Sequence, residues 1–279
     1  GMDIALFAGG SISKDFAPHA VKAGAVVIDN SSAFRMDPEV PLVVPEVNPQ
    51  AILKHKGIIA NPNCSTIIMV MALKPIYDLA KIKRVIVSTY QAVSGAGKEG
   101  IDELDAQVRE HSEGREMTAN ILPSASAEKH YPIAFNLIPQ IDVFCDNLYT
   151  KEEMKMVNET KKIMEDYEMR ITATTIRVPV YRSHSESVNI ELEKEVDLGA
   201  MREALAKFPG VTVQDDPSKQ EYPMPLYTSE KDDVYVGRLR RDESCEKSYN
   251  MWVVGDQIRK GAALNTLQIA ETMIKNGWI

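Results

Sequence analysis

The sequence predicts an α/β protein in which a parallel sheet wrapped by helices is followed by an α+β lobe with a largely antiparallel or mixed sheet. Two observations predict this. Near-continuous apolar runs at 3–8, 25–28 and 58–60 alternate with helical segments, the pattern of strands buried on both faces. Further on, 84–93 is one long β-rich run, and 186–194 alternates strictly, with Val188, Ile190 and Leu192 set against Asn189, Glu191 and Glu193. A period of two belongs to a sheet with one wet face.

Taken in order, residues 3–8 form a strand ending in the glycine turn Gly9-Gly10-Ser11, and 13–23 a helix. The strand at 25–28 ends at Asp29-Asn30-Ser31-Ser32. Residues 41–45 are a short extended segment and 48–55 a short helix. The strand at 58–60 leads through Asn61-Pro62-Asn63 into a helix with Leu73, Ile76 and Leu79 at helical spacing. Asn-Pro-Asn is turn chemistry, and Ser65 and Thr66 suit a first helical turn. Polar and glycine residues gather at the carboxyl ends of these strands, the edge where such sheets bind ligands. Beyond the run at 84–93, 98–113 is a polar, acidic helix and 151–168 a charged amphipathic one. Residues 169–181 and 186–194 read as strands of an antiparallel sheet, 197–208 as a helix, 234–239 and 249–254 as strands, and 256–276 as one long helix. The division expected is a first domain at 1–63, completed by the C-terminal helix at 255–279, and a second domain at 64–254.

Composition narrows the function. A net charge of −8 disfavours nucleic acid and anionic membrane as partners, so an anionic substrate must meet a local cluster of Arg and Lys. No apolar run is long enough to span a bilayer. The three cysteines, Cys64, Cys145 and Cys245, make no disulfide framework and fit a reducing cytoplasm, where a free thiol can serve as a nucleophile. No metal is expected.

Cys64 stands where a strand turns into a helix. Backbone N–H groups and the positive end of the helix dipole converge there, which favours a thiolate at neutral pH and can stabilise an oxyanion. The competing reading of any cysteine is a small buried apolar side chain. A Gly-x-Gly-x-x-Gly also occurs, from Gly95 to Gly100. It is rejected as a dinucleotide fingerprint because no second strand with a terminal acidic residue follows it in a βαβ unit.

Three motifs now carry a resemblance. Asn61-Pro62-Asn63-Cys64-Ser65-Thr66, then Tyr90-Gln91-Ala92-Val93-Ser94-Gly95-Ala96-Gly97, then Arg177-Val178-Pro179-Val180-Tyr181-Arg182-Ser183-His184-Ser185, in that order and spacing, resemble the aspartate-β-semialdehyde dehydrogenase family. Ala8-Gly9-Gly10-Ser11, the Arg35 segment, the Glu152 to Met156 segment and Arg259-Lys260-Gly261-Ala262-Ala263 match it too, so the resemblance covers the whole chain. It implies a Rossmann-like nucleotide domain and a catalytic and dimerisation domain. It also implies NADP- and phosphate-dependent interconversion of L-aspartate 4-semialdehyde and L-aspartyl 4-phosphate, on the route to lysine, methionine and threonine. A homodimer or homotetramer is implied with it. The family opens with a Gly-rich strand, turn and helix that holds the cofactor pyrophosphate, and this chain is expected to begin beyond it. On that expectation the first sheet lacks a neighbour and binds NADP poorly.

The same resemblance assigns roles. Cys64 is the nucleophile, His184 the general acid/base, and Gln91 orients the intermediate. Arg177 holds the substrate α-carboxylate and Glu152 its ammonium, while Lys155, Arg35 and Asn63 are candidates for phosphate. Ala8, Gly9, Gly10 and Ser11 pass near the dinucleotide, and Ser94, Gly95 and Gln257 near the nicotinamide. Each has a plainer alternative. Gln91 could be a solvated strand-end side chain and Arg177 an ordinary strand residue paired across the sheet, while Glu152 and Lys155 have the spacing of a solvated helix pair. Cys145 and Cys245 read as structural. Rival functions are a related acyl-phosphate reductase, such as N-acetylglutamyl-phosphate reductase, and a truncated non-catalytic subunit.

Overall fold

A computed structural model describes the backbone of residues 1–279 and every side chain except that of Ser11. Its first sheet is parallel, in the order β1 (Ile4–Phe7), β2 (Val26–Asp29), β3 (Ile58–Ala60). Helix α1 (Ser13–Lys22) makes the crossover from β1 to β2. The extended segment at 41–45 adds one parallel bridge, Leu42 to Ala60. Residues expected as a short helix at 48–55 form a 3-10 helix, Pro49–Lys54. β1 is an edge strand, and Leu6, Ile12 and Phe16 beside it are exposed.

The second sheet has six strands. They are β4 (Ile82–Gln91), β5 (Arg170–Arg177), β6 (His184–Leu192), β7 (Val211–Val213), β8 (Val234–Arg241) and β9 (Ser248–Gly255). Their order is β5-β4-β6-β9-β8-β7. The two strands read as parts of an antiparallel sheet, β5 and β6, are not neighbours. β4 lies between them, antiparallel to β6 and parallel to β5. A parallel partner needs a crossover, and helices α3 (Lys98–Ser112) and α4 (Lys151–Met164) lie on it. The sheet is therefore mixed. Sequence reading also missed β7 and the short helix α6 (Pro225–Thr228).

Helix α2 (Cys64–Leu79) is the centre of the core. Ser65 to Leu73 are all buried, as a helix apolar on every side must be. It packs against α4, α5 (Leu198–Lys207), β4, β8 and β9, within a cluster that includes Ile68, Val87, Val188 and Val253. Asp197 caps α5 by accepting from Gly199 N at 2.8 Å and Ala200 N at 3.2 Å. The amphipathic helix expected to 168 stops at Met164, because Glu165 turns left-handed at φ 52°.

The long helix expected at 256–276 is broken. Asp256 Oδ1 accepts from Ile258 N and Arg259 N, Arg259–Ala263 form a π-helical turn, and only then does α7 (Leu264–Lys275) begin. Two side-chain facts account for the break. A Cβ at Gly261 would lie 3.0 Å from that of Cys64, so backbone is pressed against the cysteine. Lys260, 1% exposed, is drawn inward to Glu46, Asn265 and Gln268 at 2.6, 3.0 and 2.6 Å. Such π-turns inside helices cluster at functional sites. Beyond it, Ile269 and Met273 of α7 pack with Ile28, Val43, Ile52 and Ile59 on the first sheet.

One buried group works against the fold. Glu186 on β6 is fully buried, and neither carboxyl oxygen has a hydrogen-bond partner among the described residues. Burial pushes its carboxyl well above the usual range. The unfolded chain ionises this residue near pH 4.5 while the native chain keeps it protonated, so stability falls as pH rises between the two values. Glu186→Gln should therefore match the wild type near pH 4. Above that it should become the more stable, by about 1.4 kcal/mol for each pH unit the native acid stays protonated. Denaturant melts from pH 4 to 8 check this, and parallel curves for the two proteins would refute it.

Candidate active site

The residues singled out in the second domain converge on one buried cluster. Asn63 is the N-cap of α2, its Oδ1 accepting from Thr66 N at 3.2 Å, so Cys64 is the first residue of the helix. Asn63 also donates twice. Its Nδ2 reaches Glu152 Oε1 at 2.9 Å, and its backbone N–H reaches Glu159 Oε2 at 2.7 Å. Both carboxylates come from one face of α4, whose start is fixed by a capping box between Thr150 and Glu153.

Glu152, 5% exposed, is the junction. Oε1 accepts from Asn63 Nδ2 and from Gln91 Nε2 at 3.1 Å, and Oε2 accepts from Lys155 Nζ at 3.1 Å. Burial works to raise its carboxyl, but Lys155, Asn63 and Gln91 outweigh this and hold it below the usual range. Lys155 is half-buried and also donates to Asp142 Oδ2 at 3.1 Å. Burial opposes its charge, and the two carboxylates raise it regardless. Gln91 closes β4 and accepts from Thr89 Oγ1 at 3.1 Å. The solvated alternatives for Gln91 and Glu152 are excluded, since each is 5% exposed or less, and Arg177 is buried as well.

Arg177 ends β5 and His184 begins β6. Both bond to Ala92, which follows Gln91. Arg177 Nη1 donates to its carbonyl at 2.7 Å, and its N–H donates to His184 Nδ1 at 3.1 Å. With Nδ1 accepting, the neutral imidazole carries its proton on Nε2, and that atom is buried with no partner among the described residues. Burial, and then the charge of Arg177, push His184 well below its usual value, so it is neutral at pH 7. Gly95 lies against both groups. A Cβ there would fall 2.7 Å from Arg177 Nη1 and 3.1 Å from His184 Cε1, so only glycine fits without displacing them.

Cys64 itself departs from expectation. Part of its surface stays open, yet burial and the Glu152 charge push the thiol up to about 12, against the pull of Arg35, Arg177 and the Ser65 N–H. The resting group is a thiol. The helix start alone predicts a thiolate because it leaves out the burial, and after it the carboxylate, that only the fold supplies.

The remaining candidates surround this cluster. Arg35 donates from Nε to Asn61 O at 2.9 Å, from Nη2 to Asn30 O at 3.0 Å and from Nη1 to Glu159 Oε1 at 3.3 Å. Gln257 Oε1 accepts from Ser183 N at 2.9 Å and its Nε2 donates to Ser94 Oγ, so its amide ties β6 to the turn after β4. Ala8, Gly9 and Gly10 lie exposed at the carboxyl end of β1, just beyond Phe7, whose carbonyl accepts from Asn30 N at 2.8 Å. The Ser11 side chain lies outside the described residues. Sequence reading missed Glu159, Asp142 and Gly261. The helical spacing of Glu152, Lys155 and Glu159 was the available signal for the first.

In comparison with known proteins, residues 1–55 match the model of the semialdehyde dehydrogenase NAD binding domain, and residues 73–260 that of the semialdehyde dehydrogenase dimerisation domain. The chain is 57% identical over 282 residues to the aspartate-semialdehyde dehydrogenase of Aquifex aeolicus, covering 100% of this chain and 81% of that one. It is 54% identical over 277 residues to that of Bacillus subtilis, covering 99% and 80%. The crystal structure of aspartate semialdehyde dehydrogenase II from Vibrio cholerae aligns with a TM-score of 0.92 at 48% identity, over 98% of this chain and 80% of that one. A structure of that enzyme complexed with ASA aligns equally well, with a TM-score of 0.92. With two family models and relatives above half identity along its whole length, the chain belongs to the aspartate-semialdehyde dehydrogenase family.

Proposed function

We propose that this chain interconverts L-aspartate 4-semialdehyde and L-aspartyl 4-phosphate, with phosphate and NADP, through a thioester on Cys64. The observation that carries this is a single thiol at a helix start, faced by a buried carboxylate and two guanidinium groups, with an imidazole beside one of those guanidiniums whose Nε2 is left without a partner among the described residues. An amino-acid aldehyde needs that set. Glu152 meets the ammonium, Arg177 grips the α-carboxylate in two-pronged fashion, and Cys64 faces the aldehyde carbon.

The residues at the carboxyl edge of the first sheet fit a dinucleotide. Gly10 takes φ +64° with open space around it, and Ser13 Oγ and Asp29 Oδ1 are buried without partners among the described residues. Ala8, Gly9, Gly10, Ser11, Ser94, Gly95 and Gln257 would hold it. NADP, when bound, supplies the hydride acceptor in oxidation and the donor in reduction.

This chain's own residues do the rest. The ammonium offsets the Glu152 charge, the thiol gives up its proton to water at the part of its surface that stays open, and Arg35 and Arg177 stabilise the thiolate that remains. Sulfur adds to the aldehyde carbon, and the oxygen turns toward the N–H groups of α2 and His184 Nε2–H. In its resting tautomer His184 enters as a hydrogen-bond donor rather than a base. Loss of hydride from that carbon leaves the thioester, with Gln91 holding Glu152 in place, and Asn63 bound to the same carboxylate oxygen. A phosphate oxygen, held by Lys155, Arg35 and Asn63, then attacks the carbonyl. The C–S bond breaks and the sulfur leaves as thiolate. The nucleotide-binding lobe is proposed as 1–63 with 255–279, and the catalytic lobe as 64–254. A cytoplasmic setting suits the free thiols, and cell fractionation that finds the chain elsewhere would remove that part.

The reading predicts that Cys64→Ala abolishes turnover of the semialdehyde while the melting temperature stays within a few degrees. Retained turnover would sink it. Losing one charge-assisted contact costs about 1.5–3 kcal/mol, or about ten- to a hundredfold. Lys155→Ala should spend this on KM for phosphate and Arg177→Ala on KM for the semialdehyde, and equal effects on both substrates would overturn the division. A homodimer or homotetramer is proposed as well, supported by the dimerisation-domain match. Light scattering should give at least twice the 31.1 kDa of one chain, and a monomer at micromolar concentration would refute it.

A further inference from the structure

Glu159 has no role in the chemistry above, yet it touches two of its parts. It lies on α4 one turn beyond Lys155 and two beyond Glu152, so the three share a face. It is 1% exposed. Its Oε2 accepts from the backbone N–H of Asn63 at 2.7 Å, and its Oε1 from Arg35 Nη1 at 3.3 Å. The other partners of Arg35 are the neutral carbonyls of Asn30 and Asn61. Glu159 is thus its one charged partner among the described residues.

We propose that Glu159 is a positioning residue for the reaction: it is the internal counter-ion that sets how much of the Arg35 charge reaches Cys64 and an arriving phosphate, while it holds the Asn63 peptide at the start of α2. This rests on the reading of Cys64 as nucleophile and Arg35 as a phosphate contact. Charge balance carries it. Cys64 is faced by Glu152 from α4, Arg35 from the segment after β2 and Arg177 from β5. Glu159 is faced by Arg35, by Glu152 and by Lys162, whose Nζ is held on the carbonyls of Arg35, Asp37 and Val40. A dianionic phosphate and the Glu159 carboxylate compete for the same guanidinium. Where the carboxylate is close the positive charge is spent internally, and where it is neutralised the charge is released toward the thiol and the anion. Burial itself favours the neutral acid at this position, so the balance is open to change when phosphate arrives.

The test is Glu159→Gln, which keeps the size and can still accept from Asn63 N–H but removes the charge. Three quantities are read: the pH midpoint of Cys64 alkylation by iodoacetamide, followed by peptide mass spectrometry, KM for phosphate, and KM for the semialdehyde. The alkylation midpoint should move down, giving about three- to tenfold faster labelling at fixed pH. KM for phosphate should fall and KM for the semialdehyde should stay. Glu152→Gln, which removes the other carboxylate facing the thiol, is the positive control for the midpoint. Should Glu159→Gln not fold, Glu159→Asp draws the charge back by one methylene and should move the midpoint and the phosphate KM the same way by less. A folded variant with altered stability but unmoved midpoint and phosphate KM would make Glu159 merely structural and overturn the proposal. Failure of the underlying reading is separate, because Cys64→Ala would then retain turnover whatever the midpoint does.

Discussion

The Glu152 carboxylate is the interaction on which the site depends. It accepts from Asn63, Gln91 and Lys155, and so joins the start of α2, the end of β4 and the face of α4 in one buried knot. A carboxylate taken out of water is costly unless its lone pairs are used and its charge is paired. Here three donors, one of them the Lys155 cation, meet that condition. The same charge adds to burial in keeping the thiol of Cys64 protonated, so the group that organises the pocket also restrains its cysteine.

Around this knot the fold supplies backbone where side chains would not fit. Gly95 brings the turn after β4 against Arg177 and His184, and Gly261 brings the π-turn against Cys64. Ala92 offers its carbonyl to one catalytic candidate and its N–H to another, which sets the tautomer of His184 without any side chain. The pocket is therefore stiff in the sense that matters for chemistry. Its polar groups are held by peptide groups of strands and helix ends, whose movement would cost the sheet its ladder.

The core follows the same division of labour. α2 is buried on every side and carries the cysteine on its first residue, so apolar packing fixes where the thiol stands. Lys260 is an exception within that core, an amine at 1% exposure whose donors all have acceptors. Burial lowers its affinity for a proton, while Glu46 restores part of it. Glu186 lacks such compensation among the described residues, and it lies two residues from His184 on the same face of β6.

Much of this was legible in the chain alone. Near-continuous strands followed by a strictly alternating one predicted a parallel sheet and then a mixed one, because side-chain period records which faces are buried. Asn63, Cys64, Gln91, Glu152, Lys155, Arg177 and His184 were named from local turn chemistry and family motifs, and the fold brings all seven together. What the sequence did not contain was long-range charge. The protonated state of Cys64, the acceptor role of His184 Nδ1, the part played by Glu159 and the break after Asp256 each depend on distant partners, from Glu152, 88 residues from Cys64, to Glu46, 214 from Lys260. Local propensity fixes the period of an element and how it starts. Only the packed structure decides which groups leave water and which charges share a low-dielectric space, and at Cys64 burial together with one neighbouring carboxylate outweighs what a helix start predicts.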